Sequence, residues 1–137
     1  MALFQNILIM VADGILTTEK DQRWIQTMID KVVKPRGYSN IKANLEGYEP
    51  PARLSRHQEE DEAYVPDATA VSYGRKMYFE LAVKTDRERE VVSKWKLMSR
   101  LASAKAGKFF LIVPRGHVAF AQRLVKMYDI SAELIRI

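Results

Sequence analysis

The chain has 137 residues and a mass of 15.8 kDa, a length that predicts one globular domain. Its composition of 47% apolar and 28% charged residues excludes a disordered chain, a collagen or a coiled-coil rod. Cysteine is absent, which excludes a disulfide framework, a thiolate metal site and a cysteine nucleophile, and is typical of a reducing compartment. The net charge of +5 is uneven, because residues 1–67 carry 8 Lys and Arg against 11 Asp and Glu, whereas residues 68–137 carry 14 against 6. The excess positive charge in the second half is consistent either with a polyanion partner, nucleic acid first, or with a solubilising basic surface.

The first predicted element is a short helix or strand over residues 3–16 that packs against the body, so the expected domain organisation is a packing segment at 1–16 and a core at 17–137. Thr17 and Thr18 are candidate N-caps for a helix over about Glu19–Lys34. Apolar residues follow the i, i+3, i+4, i+7 pattern of one buried helix face, namely Ile25, Met28, Ile29, Val32 and Val33.

Strand patterns occupy the middle of the chain. Alternating residues predict a strand within Tyr38–Tyr48, followed by a loop from Pro50 to Glu62. A hairpin follows, with strands Ala68–Tyr73 and Met77–Lys84 joined by the turn Gly74-Arg75-Lys76.

Helices and strands alternate in the last third of the chain. Thr85 and Glu88 have the spacing of a capping box, which predicts a long helix ending near Ala106 with Gly107 as its C′ residue. The continuous apolar run of Phe109–Val113 predicts a buried strand. A helix after Gly116 to about Tyr128 and a strand over Ala132–Ile137 complete the chain. The order helix, strand, strand, strand, helix, strand, helix, strand predicts an α/β fold with a mixed central sheet flanked by helices.

Two acidic residues and a lysine lie in and before the hairpin. Asp67 precedes the first strand, and Glu80 and Lys84 lie near the end of the second, so pairing of the strands brings the three together. Two carboxylates suit Mg²⁺ or Mn²⁺, which keeps water and takes phosphate oxygens as further ligands. An adjacent amine stabilises charge on a phosphate or orients the attacking water, so the set fits metal-assisted phosphodiester hydrolysis.

The order of elements over residues 17–137, with the motif formed by Pro66-Asp67 and the segment from Glu80 to Lys84, resembles the PD-(D/E)XK nuclease superfamily of restriction endonucleases and Holliday-junction resolvases. The resemblance implies a restriction-endonuclease-like core with Asp67 as a metal-binding acid and Lys84 as the catalytic lysine. It also implies that Glu19 is an accessory acid of the resolvase type.

The sequence departs from that family at Ala82, which stands where the second acid is expected two residues before the lysine. Glu80 lies on the same strand face, about 6–7 Å further back. Two interpretations stay open. Either Glu80 has taken over as the second catalytic and metal-binding acid, or the site is disabled.

The expected function is therefore a Mg²⁺-dependent DNA endonuclease or resolvase-like phosphodiester hydrolase, and the alternative is an inactive protein of the same fold that acts in nucleic-acid binding or assembly. No membrane partner is expected, because the longest apolar run is far shorter than the roughly 20 residues of a membrane span. We expect a cytoplasmic homodimer, since symmetric pairs are the commonest oligomers. Five basic residues are candidates for nucleic-acid binding: Lys94, Lys96 and Arg100 on the long helix, and Arg75 and Lys76 in the hairpin turn.

Overall fold

A five-stranded mixed sheet forms the centre of the protein in the computed structural model, which describes residues 21–54 and 64–137. The strands lie side by side in chain order, the first three antiparallel to one another and the last three parallel. Their bounds are β1 Ser39–Ala43, β2 Ala68–Ser72, β3 Arg75–Leu81, β4 Lys108–Val113 and β5 Glu133–Arg136. The predicted segment at 1–16, the caps Thr17 and Thr18, and the accessory acid Glu19 lie outside the described residues.

Three helices flank the sheet: α1 Gln22–Met28, α2 Glu88–Ala104 and α3 Val118–Met127. Helix α1 is followed by a π-helical turn over Ile29–Val33 and a 3₁₀ turn over Lys34–Arg36. The predicted start of this first helix at Glu19 is wrong, because Asp21 has extended backbone angles and its side chain accepts a hydrogen bond from the backbone N–H of Arg23. Asp21 is therefore the N-cap, a position that favours aspartate.

The hairpin between β2 and β3 turns through two residues, Tyr73 and Gly74, both with positive φ, as a type I′ turn requires. The predicted three-residue turn at 74–76 is wrong, because Arg75 already pairs with Ser72. The shorter turn changes the register, since Ala68 pairs with Phe79 and Asp67 comes level with Glu80. A turn over 74–76 would have placed Asp67 level with residue 83 instead.

Helix α2 begins and ends differently from the prediction. Its first residue is Glu88, and Thr85 Oγ1 accepts from the N–H of Arg87 in the preceding turn instead of capping the helix. At the other end Ala106 has a positive φ of 57°. Gly107 is required for a different reason, because a Cβ at this position would collide with the backbone oxygen of Lys76.

The hydrophobic core has two parts, one on each face of the sheet. Helix α1 packs on one face around the stacked rings of Phe79 and Phe110, whose centroids are 5.0 Å apart. Helices α2 and α3 pack on the other face around Trp95 and Leu111. Residues of β3 alternate between these two clusters, as the period of a strand requires. The predicted α/β class with a mixed sheet flanked by helices is confirmed.

Candidate active site

The hairpin register brings two buried carboxylates together at the end of β3. The N–H of Asp67 donates to Oε1 of Glu80 over 3.0 Å, and the N–H of Leu81 donates to Oδ2 of Asp67 over 2.8 Å. The Glu80 carboxylate therefore accepts from the backbone of Asp67, and the Asp67 carboxylate accepts from the backbone of the residue that follows Glu80. This reciprocal arrangement fixes the two side chains relative to each other, and Asp67 and Glu80 are only 5% and 2% exposed.

The amine at this site comes from helix α2. Lys94 is 7% exposed, and its Nζ lies 2.7 Å from Oε2 of Glu80. Glu80 points to the α2 face of the sheet because its strand neighbours of the same parity, Tyr78 and Ala82, belong to the core cluster on that face. A charge-assisted bond of this length between buried groups is strong, and it satisfies a carboxylate that burial would otherwise penalise. Asp67, Glu80 and Lys94 are hereafter called the carboxylate–lysine cluster.

The backbone before β2 is anchored to the end of β1. The N–H of Asn44 donates to the carbonyl oxygen of Asp67, and Nδ2 of Asn44 donates to the carbonyl oxygen of Pro66, both over 3.0 Å. The Pro66-Asp67 pair is therefore held by main-chain and side-chain contacts from a neighbouring strand. Asp67 is positioned by the sheet and not by a free loop.

Lys84, which the sequence assigns as the catalytic lysine, lies three residues beyond the end of β3. Its side chain is exposed, and its backbone N–H donates to Nδ1 of His117 over 2.9 Å. The ring of His117 also makes an edge contact with Trp24, with the two ring centroids 5.2 Å apart. His117 therefore fixes the position of the backbone where the chain leaves the sheet. The buried position beside Glu80 is taken by Lys94, not by Lys84.

Ala82, where the resemblance places the second acid, is fully buried. It belongs to the cluster between the sheet and helices α2 and α3, and its N–H donates to the carbonyl oxygen of Ile112 over 2.9 Å. The small side chain adds no charge beside Glu80, whose buried cationic partner Lys94 comes from helix α2. The acid level with Asp67 is Glu80.

The five basic residues predicted to bind nucleic acid occupy different surroundings. Lys94 is buried in the carboxylate–lysine cluster, whereas Lys96 lies with its Nζ 5.3 Å from the ring centre of Tyr128 and Arg100 is exposed. Arg75 is exposed at the start of β3, and burial lowers the pKa of the neighbouring lysine, Lys76. Only Lys94 of this group contacts a carboxylate of the site.

The donor set is of the type that a hard divalent cation prefers. The part of the chain that the structure describes holds no group of three or more His, Asp or Glu side chains arranged for a metal ion. Two carboxylates are nevertheless the usual protein contribution to a Mg²⁺ site, which completes its coordination with water and phosphate oxygens. The carboxylate oxygens of Asp67 and Glu80 are therefore suitable ligands for Mg²⁺. The Lys94 ammonium would compete with the ion for Oε2 of Glu80.

The role of Lys94 was missed by the sequence reasoning, which assigned it to phosphate contacts. A signal was present, because Lys94 falls three residues after Val91 and four before Met98, inside the apolar stripe of the helix. A lysine at such a position is buried and requires a carboxylate partner. The acids of the hairpin were the available partners.

A pocket lies at the C-terminal end of α2. It encloses about 250 Å³ and is lined by residues that include Ser103, Lys108 and Glu133. It contains no residue of the carboxylate–lysine cluster, and it is smaller than typical small-molecule sites of about 300–1,000 Å³.

The chain matches no protein-family model, and comparison with curated proteins and with solved structures gives no match. Among the helices of the described ranges, none combines the length and apolar character needed to cross a bilayer.

Proposed function

We propose that the protein is a metal-dependent DNA endonuclease of the PD-(D/E)XK type, with a restriction-endonuclease-like core. The observation that carries this proposal is the convergence of Asp67, directly before β2, with Glu80 of β3 and Lys94 of α2, the lysine Nζ lying 2.7 Å from Glu80. Two carboxylates beside a cationic amine form the minimal set for hydrolysis of a phosphodiester. The sheet, with three antiparallel strands followed by parallel crossovers, supports the same assignment.

Asp67 and Glu80 are the residues that would hold Mg²⁺ or Mn²⁺, and the ion would supply Lewis-acid activation of the phosphate and of a water molecule. The reaction adds water to phosphorus and breaks a P–O bond, which leaves a phosphomonoester and an alcohol. Lys94, as an ammonium held by Glu80, stabilises the negative charge that develops on the phosphate oxygens. The backbone N–H groups of Asp67 and Leu81 keep the carboxylates in place. Lys84 lies outside this arrangement in our proposal.

A second candidate function has one observation in its favour. Both oxygens of Glu80 accept from protein donors, and all three charged side chains of the cluster are less than 10% exposed. In an inactive protein of the same fold, such a cluster serves only to stabilise the core, while the surface binds nucleic acid or assembles with partners. Under this alternative the protein binds DNA without cutting it.

A cleavage assay on single-stranded, duplex and branched DNA, with Mg²⁺ or with EDTA, separates the two functions. Asp67→Asn is the informative variant, because asparagine keeps an oxygen for the N–H of Leu81 but loses the charge. We expect it to lower the cleavage rate by at least about 100-fold, the range typical for loss of a group that acts on the transition state. Asp86→Asn, an exposed acid near the end of β3, is the matched control and should cut like the wild type.

DNA binding measured in EDTA should not weaken in Asp67→Asn, since the variant removes a negative charge near the phosphates. If no substrate is cut with Mg²⁺, or with Mn²⁺ in its place, the nuclease is refuted and the binding or assembly function is favoured. We also propose a homodimer, for which sedimentation equilibrium should give twice the chain mass of 15.8 kDa.

A further inference from the structure

Three lysines converge at the opposite end of β3 from the carboxylate–lysine cluster. Lys42 lies on β1, Lys76 on β3, and Lys105 is the C-cap of α2. Burial is the largest cause of the lowered pKa of Lys76, and the positive charges of Lys42 and Lys105 lower it further. Lys42 and Lys105 therefore both lie close enough to Lys76 for their positive charges to act on it. They are called the lysine triad below.

Strand register places Lys42 and Lys76 on the same sheet face as Glu80, the face against which α2 packs. Lys42 pairs with Thr69 and Thr69 with Tyr78, and directly paired residues point to the same face. Lys76, Tyr78 and Glu80 alternate along β3 and share that face as well. Four residues of strand separate Lys76 from Glu80, or about 13 Å.

Helix α2 gives a second measure of this separation. Lys94, six residues after the start of the helix, contacts Glu80, and Gly107, just beyond the end of the helix, packs against the backbone of Lys76, so α2 runs antiparallel to β3. Eleven residues separate Lys94 from Lys105, which corresponds to about 16 Å of helix. Strand and helix agree that Lys76 and Lys105 lie about 13–16 Å from the carboxylate–lysine cluster.

The positive charge of the triad is poorly compensated. Within residues 21–54 and 64–137, neither Lys76 nor Lys105 forms an ion pair, and the Nζ of Lys76 lies 5.6 Å from the ring centre of Tyr78. Lys42 has a partner in Glu49, but the two charged atoms are 3.9 Å apart and the Glu49 side chain is 72% exposed. A long ion pair with an exposed carboxylate holds its lysine weakly, so an anion can replace Glu49.

We propose that Lys42, Lys76 and Lys105 bind backbone phosphates of the DNA, with Lys76 and Lys105 about 13–16 Å from the phosphate that occupies the carboxylate–lysine cluster. The inference rests on the proposed function for its ligand class and adds a second contact that fixes how the nucleic acid lies across the sheet. Phosphate contacts position a nucleic acid without reading its sequence, as expected for a small domain of this kind. Three ammonium groups, of which only Lys42 has an ion-pair partner within residues 21–54 and 64–137, match the repeated negative charge of a phosphodiester backbone.

The salt dependence of DNA binding tests the proposal. A labelled duplex is titrated with protein in EDTA over about 50–200 mM NaCl, and log K is plotted against log salt concentration. Replacing the triad with Lys42→Gln, Lys76→Gln and Lys105→Gln together should make the slope shallower by about 2.7, or about 0.9 for each lysine. Lys31→Gln is the control, because Lys31 is exposed on the π-helical turn that follows α1, the helix on the other face of the sheet.

The outcomes distinguish this inference from the nuclease proposal. A shallower slope for the triple variant and a wild-type slope for Lys31→Gln support the triad, even if no DNA is ever cut. A wild-type slope for the triple variant overturns the inference, even if the protein cleaves DNA. Absence of DNA binding by the wild type also overturns it. Circular dichroism of each variant verifies that a changed slope does not come from unfolding.

Discussion

The ion pair between Lys94 and Glu80 leads to a stability prediction whose size follows from burial. Replacing Lys94 with methionine keeps the length of the side chain but removes the ammonium that lies 2.7 Å from Oε2 of Glu80. Glu80 then remains a carboxylate that is 2% exposed and lacks the ammonium of Lys94. Breaking a buried pair by removing one partner costs about 3–5 kcal/mol, because the remaining charge has lost both water and its partner.

Urea unfolding, followed by circular dichroism, measures this cost. With a slope of about 2 kcal/mol per molar urea, the loss corresponds to a fall of about 1.5–2.5 M in the midpoint. Lys96→Met on the same helix is the control, since Lys96 is partly exposed over the ring of Tyr128 and such a contact contributes about 1 kcal/mol or less.

A double variant isolates the charge. Glu80→Gln keeps an oxygen that accepts from the N–H of Asp67 but removes the negative charge, so adding it to Lys94→Met should restore most of the lost stability. If Lys94→Met and Lys96→Met shift the midpoint equally, or if the double variant recovers nothing, the buried pair is not the stabilising feature argued here.

Three further predictions concern the same elements. Ala82→Glu should destabilise the fold by several kcal/mol in urea unfolding, because it places a second carboxylate in a fully buried apolar position, while Ala82→Ser should cost much less. Hydrogen bonds from Arg123 lower the pKa of Glu88. The pair should therefore stabilise the contact between α2 and α3 above about pH 4.5, and this stabilisation should be lost as the pH falls through the lowered pKa. Thermal melts of Glu88→Gln should lack this part of the acid dependence. Burial and neighbouring lysines lower the pKa of Lys76, so its charged form opposes folding at neutral pH. Lys76→Gln should therefore not lower the melting temperature at pH 7, and any gain in melting temperature should vanish as the pH rises through the lowered pKa toward 10.5. A gain that stays the same over this pH range would refute the prediction.

Local patterns predicted the helices and strands because each element carries its own signal. The buried face of α1, the alternation along β3 and the apolar run of β4 are visible within single segments. The approach of Asp67 to Glu80 was also predictable, since a hairpin brings the start of its first strand to the end of its second. The class of the fold follows from the order of these elements.

The details that the sequence did not predict depend on contacts between distant segments or on a single turn. Tyr73 adopts a positive φ that its residue type does not favour. The hairpin turn therefore begins at Tyr73, one residue before Gly74, where the sequence predicted its start. Gly107 is needed because the backbone of Lys76 lies against it, which no local pattern shows. Lys94 finds its partner on another element, so its role required the register of α2 on β3.

The central claim is that Lys94, and not Lys84, is the lysine of a metal-dependent nuclease. The most direct measurement compares DNA cleavage in Mg²⁺ by Lys94→Met and Lys84→Met, with folding of both verified by circular dichroism at the assay temperature. The structure predicts that Lys84→Met cuts at nearly the wild-type rate, because its side chain is exposed outside the carboxylate–lysine cluster, and that folded Lys94→Met loses at least about 100-fold. Loss of cleavage in Lys84→Met with retention in Lys94→Met would contradict the account, and so would a wild type that cuts no DNA.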